Sequence, residues 1–417
     1  MKRILAIATS FVSILAFAEE KKPVFKAQTI DDKIEIGYAV TVADVDGDGK
    51  PDILCVDKKQ IVWYQNPTWT KHVIAENLTE HDNVCIAARD IDGSGKCSIA
   101  VGAEWNPGDT LSSGAVFYLI PPADRTQKWE PVKFPSVEPT THRMKWMLRD
   151  HQNGKPRYEL VVVPLHGRGN KNGEGAGVKV LAYQMPKNPR DEWKSEVVCD
   201  DMHMTHNFFV HDRSPFLYLA GKEGIELSDF VQTPKVQGWG HSHFIDHLPS
   251  GFGEKGVGEV RPLILGANTH APSAMMSDFG PHTQASATVD SYLATIEPMH
   301  GNLLIVYHGA DNKKFVRTVL DSTLEEGHAL ACGDLLGLGR DQIVVGWRGA
   351  ANNKLAKVGI KMFVPDWRGE KWTQHLIDDN TMACEDLVLA DLNGDGKVDI
   401  IASGRRTKNV VIYWNQN

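Results

Sequence analysis

The chain has 417 residues, with 45 Lys and Arg against 53 Asp and Glu, a net charge of −8 and a pI near 6.1. That balance argues against a nucleic-acid partner, which selects a basic face, and suits a soluble, uncharged or mildly polar ligand. Six cysteines (Cys55, Cys85, Cys97, Cys199, Cys332, Cys384) are too sparse for a disulfide scaffold and lack CxxC spacing, so buried thiols with room for one bridge are expected.

At the N-terminus, Lys2 and Arg3 precede the apolar run "ILAIATSFVSILAFA", and Ala16-Phe17-Ala18 forms a small-x-small cleavage site before Glu19. This reads as a secretory signal peptide over residues 1–18, which predicts export to the periplasm or the extracellular space. The run is shorter than the roughly 20 residues a spanning helix needs, and no later stretch is long and apolar enough to cross a bilayer.

From Phe25 onward the pattern is one of short strands. "FKAQTI" (Phe25 to Ile30) is a lone strand, expected to pair with the end of the chain. Five turn-centred segments then share one plan: "ADVDGDGKPDILCV" from Ala43, "RDIDGSGKCSIAVG" from Arg89, "RDHQNGKPRYELVVV" from Arg149, "GDLLGLGRDQIVVG" from Gly333 and "ADLNGDGKVDIIAS" from Ala390. In each, a strand enters, an Asp/Gly turn reverses it and a β-branched strand leaves. A third, aromatic strand follows, as in "VFYLI" from Val116 and "VVIYWNQN" from Val410. The phrase W-x-x-H at Trp69–His72 and Trp372–His375 marks an outermost strand. Four strands recurring at roughly 40 to 60 residues predict an all-β, seven-bladed β-propeller of antiparallel blades, a single domain over 19–417. The units fall at about 26–77, to 136, to 201, 202–237, 238–321, to 378 and to the end. The fifth is interrupted by an insertion over about 266–291, expected as a flap over the channel, with "NGEGAG" (Asn172 to Gly177) as a second, mobile rim.

Two acidic loops place oxygens at positions 1, 3, 5 and 9 with glycines between: Asp44, Asp46, Asp48 and Asp52, and Asp391, Asn393, Asp395 and Asp399. This is the first part of an EF-hand loop and suits Ca²⁺; tight Asx/Gly turns without metal are the other reading. Either way they brace blades and do no chemistry.

Histidine is the remaining anomaly. Of 17, eleven fall between His203 and His328. Counting six residues back along the innermost strand from Asp44, Asp212, Asp334 and Asp391 reaches Tyr38, His206, His328 and Glu385. His142 and His81 lie near the same end of their strands, and His300 and His270 in the interrupted unit could join them. Neutral imidazoles drawn from separate blades suit Zn²⁺ or a similar divalent ion with a position open to substrate. His241, His243 and His247 either join this site or decorate a loop.

The acidic turns resemble those of FG-GAP/VCBS propeller proteins over nearly all of the mature chain. A narrower likeness, in "MHMTHNFFV" from Met202, "ATIEPMHGNLLIVY" from Ala294 and "VLDSTLEEGHALACGDLLGLGRDQIVVGWRG" from Val319, is to the propeller domain of the aldos-2-ulose dehydratase family, which removes water from a keto-sugar with metal assistance. The cupin and lectin domains of that fungal enzyme have no counterpart here. The resemblance implies a metal-dependent lyase acting on a small carbohydrate.

Proton abstraction beside a carbonyl needs an electrophile for the enolate and a base of near-neutral pKa. The residues expected in these roles are His142, His206 and His300 on the metal and His328 as base, with Glu297 or Glu385 orienting it. His166, Lys145 and Arg348 are expected to bind hydroxyls, and Trp146 to stack on a sugar ring. Two alternatives stay open: a uronate-specific polysaccharide lyase, which needs a basic groove, and a non-catalytic carbohydrate-binding or adhesion propeller. Oligomeric state is not legible.

Overall fold

The computed structural model describes residues 22–212, 214–232, 237–245, 256–265, 292–310 and 314–417. The chain begins with β1 (Phe25–Asp31), followed by the first blade of β2 (Ala39–Ala43), β3 (Asp52–Val56), β4 (Gln60–Gln65) and β5 (Thr70–Glu76). Blade two holds β6 (Cys85–Arg89), β7 (Ser98–Ala103), β8 (Ala115–Ile120) and β9 (Glu130–Lys133). Blade three holds β10 (Thr141–Gln152), β11 (Lys155–Pro164), β12 (Val180–Gln184) and β13 (Lys194–Cys199). Blade four is β14 (Thr205–Val210), β15 (Phe216–Gly221), β16 (Gly224–Gln232) and β17 (Gln237–Ile245). Blade five is β18 (Glu259–Pro262), β19 (Tyr292–Glu297), β20 (Leu303–Ala310) and β21 (Lys314–Asp321). Blade six is β22 (Gly327–Gly333), β23 (Gln342–Trp347), β24 (Gly359–Pro365) and β25 (Trp372–Asp379). Blade seven takes β26 (Cys384–Ala390), β27 (Asp399–Gly404) and β28 (Val410–Asn415).

Each blade is a four-stranded antiparallel sheet, and the seventh is completed by β1, which pairs with β28 from Phe25↔Asn415 to Asp31↔Val410. This clasp joins the two ends of the chain and removes a free sheet edge. The innermost strands β2, β6, β10, β14, β18, β22 and β26 each contact their counterparts in both neighbouring blades, which closes the ring around a central channel. No helix occurs among the described residues, and none is long and apolar enough to cross a membrane.

The strands form because their period-two patterns bury one face against each neighbouring blade. Trp63, Tyr64, Tyr218, Tyr413 and Phe363 are among the largest wholly buried side chains. Blades six and seven pack so closely that a Cβ on Gly346 would lie 2.4 Å from Cys384 Sγ. All six cysteines are free thiols, five of them buried, so the room left for a bridge is not used.

The expected unit boundaries shift at one place. The "GWGHSH" stretch forms β17, which pairs with β16 in the register Gln232↔Gln237, Ser228↔His241 and Glu226↔His243. It is therefore the outermost strand of blade four and not the start of blade five, because strand pairing follows the hairpin and overrides the weak turn pattern there. His241 and His243 thus sit on a strand far from the axis. His247, His270, the insertion over 266–291 and the signal peptide lie outside the described residues. The "NGEGAG" segment is held in place, since Asn170 Nδ2 donates to Ala176 O and to His203 O, both at 2.9 Å.

The acidic loops are built as their spacing requires. Asp44 accepts from Gly47 N at 2.7 Å and Gly49 N at 2.9 Å, and Asp391 accepts from Gly394 N and Gly396 N at 2.8 Å each. Gly47 and Gly49 have φ of +85° and +82°, which side chains rarely adopt. Oxygens of Asp44, Asp46 and Asp48 lie within 4.8 Å of one another, a spacing compatible with one hard cation. Asn393 accepts from Asp395 N at 3.1 Å, and Asp395 in turn from Lys397 N at 2.9 Å. Asp52 and Asp399 are buried. Asp52 accepts from Val45 N and Asn66 N, and Asp399 from Leu392 N and Asn415 N, so both anchor their loops to the blade. Burial, with Asp46 and Asp44 nearby, raises the Asp52 carboxyl to about 7.

Candidate functional site

One end of the channel gathers a repeated position, the second residue of an innermost strand: His142 on β10, His206 on β14, His328 on β22 and Glu385 on β26. In all four strands the ladder register slips at this residue, between Thr141 and Arg143, Thr205 and Phe208, Gly327 and Ala329, and Cys384 and Asp386. A bulge leaves one residue unpaired and re-aims its side chain, which turns these residues out of the interblade core and toward the axis.

The imidazoles meet there. Ring centroids are 4.8 Å apart for His142 and His206, 4.6 Å for His206 and His300, 5.1 Å for His206 and His328, and 4.9 Å for His300 and His328. His300 arrives from the turn between β19 and β20 with φ of +53°, a left-handed conformation that side chains adopt at a cost of order 1–3 kcal/mol and that is concentrated at functional positions.

The hydrogen bonds around the rings share one logic. His142 Nδ1 donates to His206 O at 2.9 Å, His206 Nδ1 to Gly258 O at 2.9 Å, and His328 Nδ1 to Glu385 O at 2.5 Å. Each imidazole thus leans on a backbone carbonyl of the next blade. That bond fixes the Nδ1–H tautomer and leaves Nε2 as the inward lone pair. Burial holds His142 and His328 well below the usual imidazole range, with Arg143 and Arg348 respectively next in effect. It also lowers His206, against the opposing pull of Glu259. The rings are therefore neutral at pH 7, as metal ligands must be.

Ligand nitrogens of His206, His300 and His328 all lie within 4.8 Å of one another. His206 Nε2 and His300 Nε2 are 2.7 Å apart. A tetrahedral ion with bonds of about 2.0–2.1 Å spaces its nitrogens by about 3.3 Å, so this pair must part by roughly half an ångström to hold one. The donor chemistry, three imidazoles at the mouth of a channel, two of them with tautomers fixed by carbonyls, fits a borderline transition metal. His142 stands beside this trio. Its Nε2 accepts from Arg143 Nη1 at 3.0 Å, and its ring stacks on Trp105 at 4.9 Å.

Of the other expected residues Glu385 stays beside His328, its Oε1 4.0 Å from His328 Nε2, and most of the rest disperse. Glu385 meets His328 through its carbonyl, while its carboxylate is taken by Arg348 at 2.7 and 2.8 Å and by Arg405 at 2.8 Å. Arg348 also bonds Glu326 at 2.9 Å, so its Nε and Nη1 are committed to carboxylates of the wall. Glu297 is removed from the imidazoles, accepting from Thr295 at 2.7 Å, Tyr307 at 2.8 Å and Arg317 at 3.1 Å inside blade five. Trp146 is 3% exposed in the core between blades, its Nε1 donating to Ser98 O, and cannot stack on a ligand. His166 is half-buried on the loop bridged to Met204, and its Nδ1 has no hydrogen-bond partner among the described residues. Lys145, on β10 three residues after His142, is partly exposed. Tyr38 donates to Asp82 at 2.9 Å, and His81 pairs with Glu104 at 2.5 Å on the rim.

Sequence reasoning missed Trp105, Arg143 and Glu259. Glu259, whose Oε1 lies 3.3 Å from His206 Nδ1 and whose Oε2 accepts from Asn207 at 2.7 Å, opens the innermost strand of blade five. The misplaced fourth boundary hid it. Arg143 was legible only as the neighbour of His142.

Comparison with known proteins bears on the architecture. Residues 44–101 match the FG-GAP-like repeat. No curated protein matches the chain. Among solved structures, a chain of the Mitotic Checkpoint Complex is 9% identical with TM-score 0.54, covering 99% of this chain and 100% of that one. BBS1N in complex with ARL6DN is 12% identical with TM-score 0.53, over 94% and 98%. The WD40 beta propeller domain of Doa1 is 12% identical with TM-score 0.51, over 94% and 97%. Likeness at such identities establishes the fold alone. The chain is a seven-bladed β-propeller that carries an FG-GAP-like repeat from its first acidic loop into the second strand of blade two.

Proposed function

We propose that this protein is an exported, metal-dependent carbon–oxygen lyase that removes a β-hydroxyl from a keto-sugar, the activity implied by its resemblance to the aldos-2-ulose dehydratase propeller. The supporting observation is the convergence of His206, His300 and His328 from three blades, with the tautomers of His206 and His328 fixed by carbonyls. A divalent ion held by these three would polarise a carbonyl and stabilise charge developing on its oxygen. His142, a neutral imidazole against the trio, is the group we assign to accept the α-proton, in place of His328, which we assign to the ligand set because its ring nitrogen lies within 4.8 Å of those of His206 and His300. Its Nδ1–H bond to His206 O and the face of Trp105 would stabilise the imidazolium formed. The same proton then leaves with the β-hydroxyl as water.

Elemental analysis of the purified protein, zinc titration of the chelated protein and ultraviolet detection of enone from keto-sugars test this reading. Bound transition metal that is lost in His206→Ala, with loss of enone formation in parallel, supports it. Absence of metal binding, or unchanged activity in His206→Ala and His328→Ala, overturns it.

A further inference from the structure

Beneath the imidazoles the channel wall changes character. Arg143 and Lys145 follow His142 on β10, and Arg261 stands two residues after Glu259 on β18. The bulge at His142 resets the alternation, so Arg143 and Lys145 share the channel side while Met144 and Trp146 enter the core. All three basic residues retain partial exposure. β10 is flanked by β11 and by the innermost strands of blades two and four, which leaves the channel as the surface they expose.

Lys145 is repelled by Arg261 and Arg143 and attracted by Asp386 and Glu259, so groups from blades three, five and seven share one electrostatic neighbourhood. The two carboxylates are already engaged. Asp386 accepts from Val40 N and Leu387 N at 3.0 Å each, and Glu259 holds Asn207 and faces His206. Arg261 donates Nη1 to Val260 O, with Nη2 3.6 Å from Glu259. Among the described residues Arg143 spends only Nη1, on the carbonyl and Nε2 of His142. Lys145 has no hydrogen-bond acceptor among the described residues. Three cations face two occupied carboxylates, and the ammonium and much of the Arg143 guanidinium keep donors to offer.

We propose that this stretch of channel binds a carboxylate, so that the molecule taken at the axial mouth is an acidic sugar. An anion here balances the excess charge, satisfies the Lys145 ammonium and accepts the paired N–H groups that a guanidinium presents to a carboxylate. Arg143 links the two levels. Drawn down to the carboxylate, it releases the His142 Nε2 lone pair that it otherwise occupies, so occupancy of the channel frees the proton acceptor above. The substrate assignment rests on the axial mouth being the reactive site; the anion site does not require a bound metal.

Calorimetric titration of the chelator-treated protein with D-glucuronate, D-glucose, acetate and inorganic phosphate tests the inference. Glucuronate is expected to bind at least about tenfold more tightly than glucose and than either small anion. Lys145→Met and, independently, Arg261→Gln should each weaken glucuronate by about tenfold without altering glucose binding, with circular dichroism confirming the fold of each variant. Equal affinity for glucuronate and glucose, no binding of either, a small anion bound as tightly as glucuronate, or folded variants with unchanged glucuronate affinity overturns it. Failure of the metal reading is registered separately, as absent zinc binding beside intact glucuronate binding.

Discussion

The buried imidazoles should make the metal-free protein sensitive to mild acid, and His328→Asn should remove a definable part of that sensitivity. His142 and His328 are 5% and 4% exposed, and burial pushes both well below the value of about 6.5 that histidine has in an unfolded chain. Below pH 6.5 the unfolded chain therefore binds protons that the folded chain refuses. Stability is fully present above pH 6.5 and falls with acidification until the folded groups themselves titrate. The slope is about 1.4 kcal/mol per pH unit for each fully protonated difference. At pH 5.5 an unfolded histidine is about nine-tenths protonated, so the two rings contribute about 2.5 kcal/mol per pH unit. His206, lowered less, adds to this, while His81, raised by Glu104, opposes it. Asn at position 328 retains a donor for the Glu385 carbonyl and cannot titrate, so it should flatten the slope by about 1.2 kcal/mol per pH unit. Urea unfolding of chelated protein at pH 7.5, 6.5 and 5.5 measures both slopes. Parallel slopes for the two proteins, or stability that rises as pH falls from 6.5, would refute the argument.

Trp146→Ala should cost about 3–5 kcal/mol in urea unfolding through the cavity it leaves, while ligand affinity at the axial mouth stays unchanged. Asp48→Asn should weaken calcium-dependent thermal stabilisation. In the parent, calcium at about 100 times its dissociation constant adds about 2.7 kcal/mol, and scanning calorimetry with and without chelator reads the difference. Gly346→Val should destabilise the seam between blades six and seven by several kcal/mol, since its side chain meets Cys384 Sγ; a melting temperature equal to the parent's contradicts this packing. Glu259→Gln should weaken zinc binding by about 10–100-fold while leaving the ligand nitrogens in place, which competition titration with a chelating dye measures.

The blade plan was legible because its signals are local. An Asp/Gly turn, a β-branched return strand and the W-x-x-H phrase each specify a hairpin without reference to distant residues, and β5 and β25 fall on the two such phrases. The rank of His206, His328 and Glu385 was legible because strand rise is uniform, so counting from the turn measures depth in the channel. Side-chain direction was not. A bulge is a property of register between two strands, invisible in either alone, and without it His142 and Trp146 belong to the same face. With it, one turns to the axis and the other into the core. Blade five was blurred because its first two strands, β18 and β19, are separated by the long insertion and lack an acidic turn.

The relay from ring nitrogen to the carbonyl of the adjoining blade ties the aperture of the centre to the circumference of the whole torus. Tilting blade four, five or seven drags a neighbour's imidazole with it, so the grip at the axis is a gauge of how tautly the circle is fastened. Loosening the clasp at Phe25 and Asn415, on the outer edge of the seventh blade, should therefore be felt by a cation at the centre.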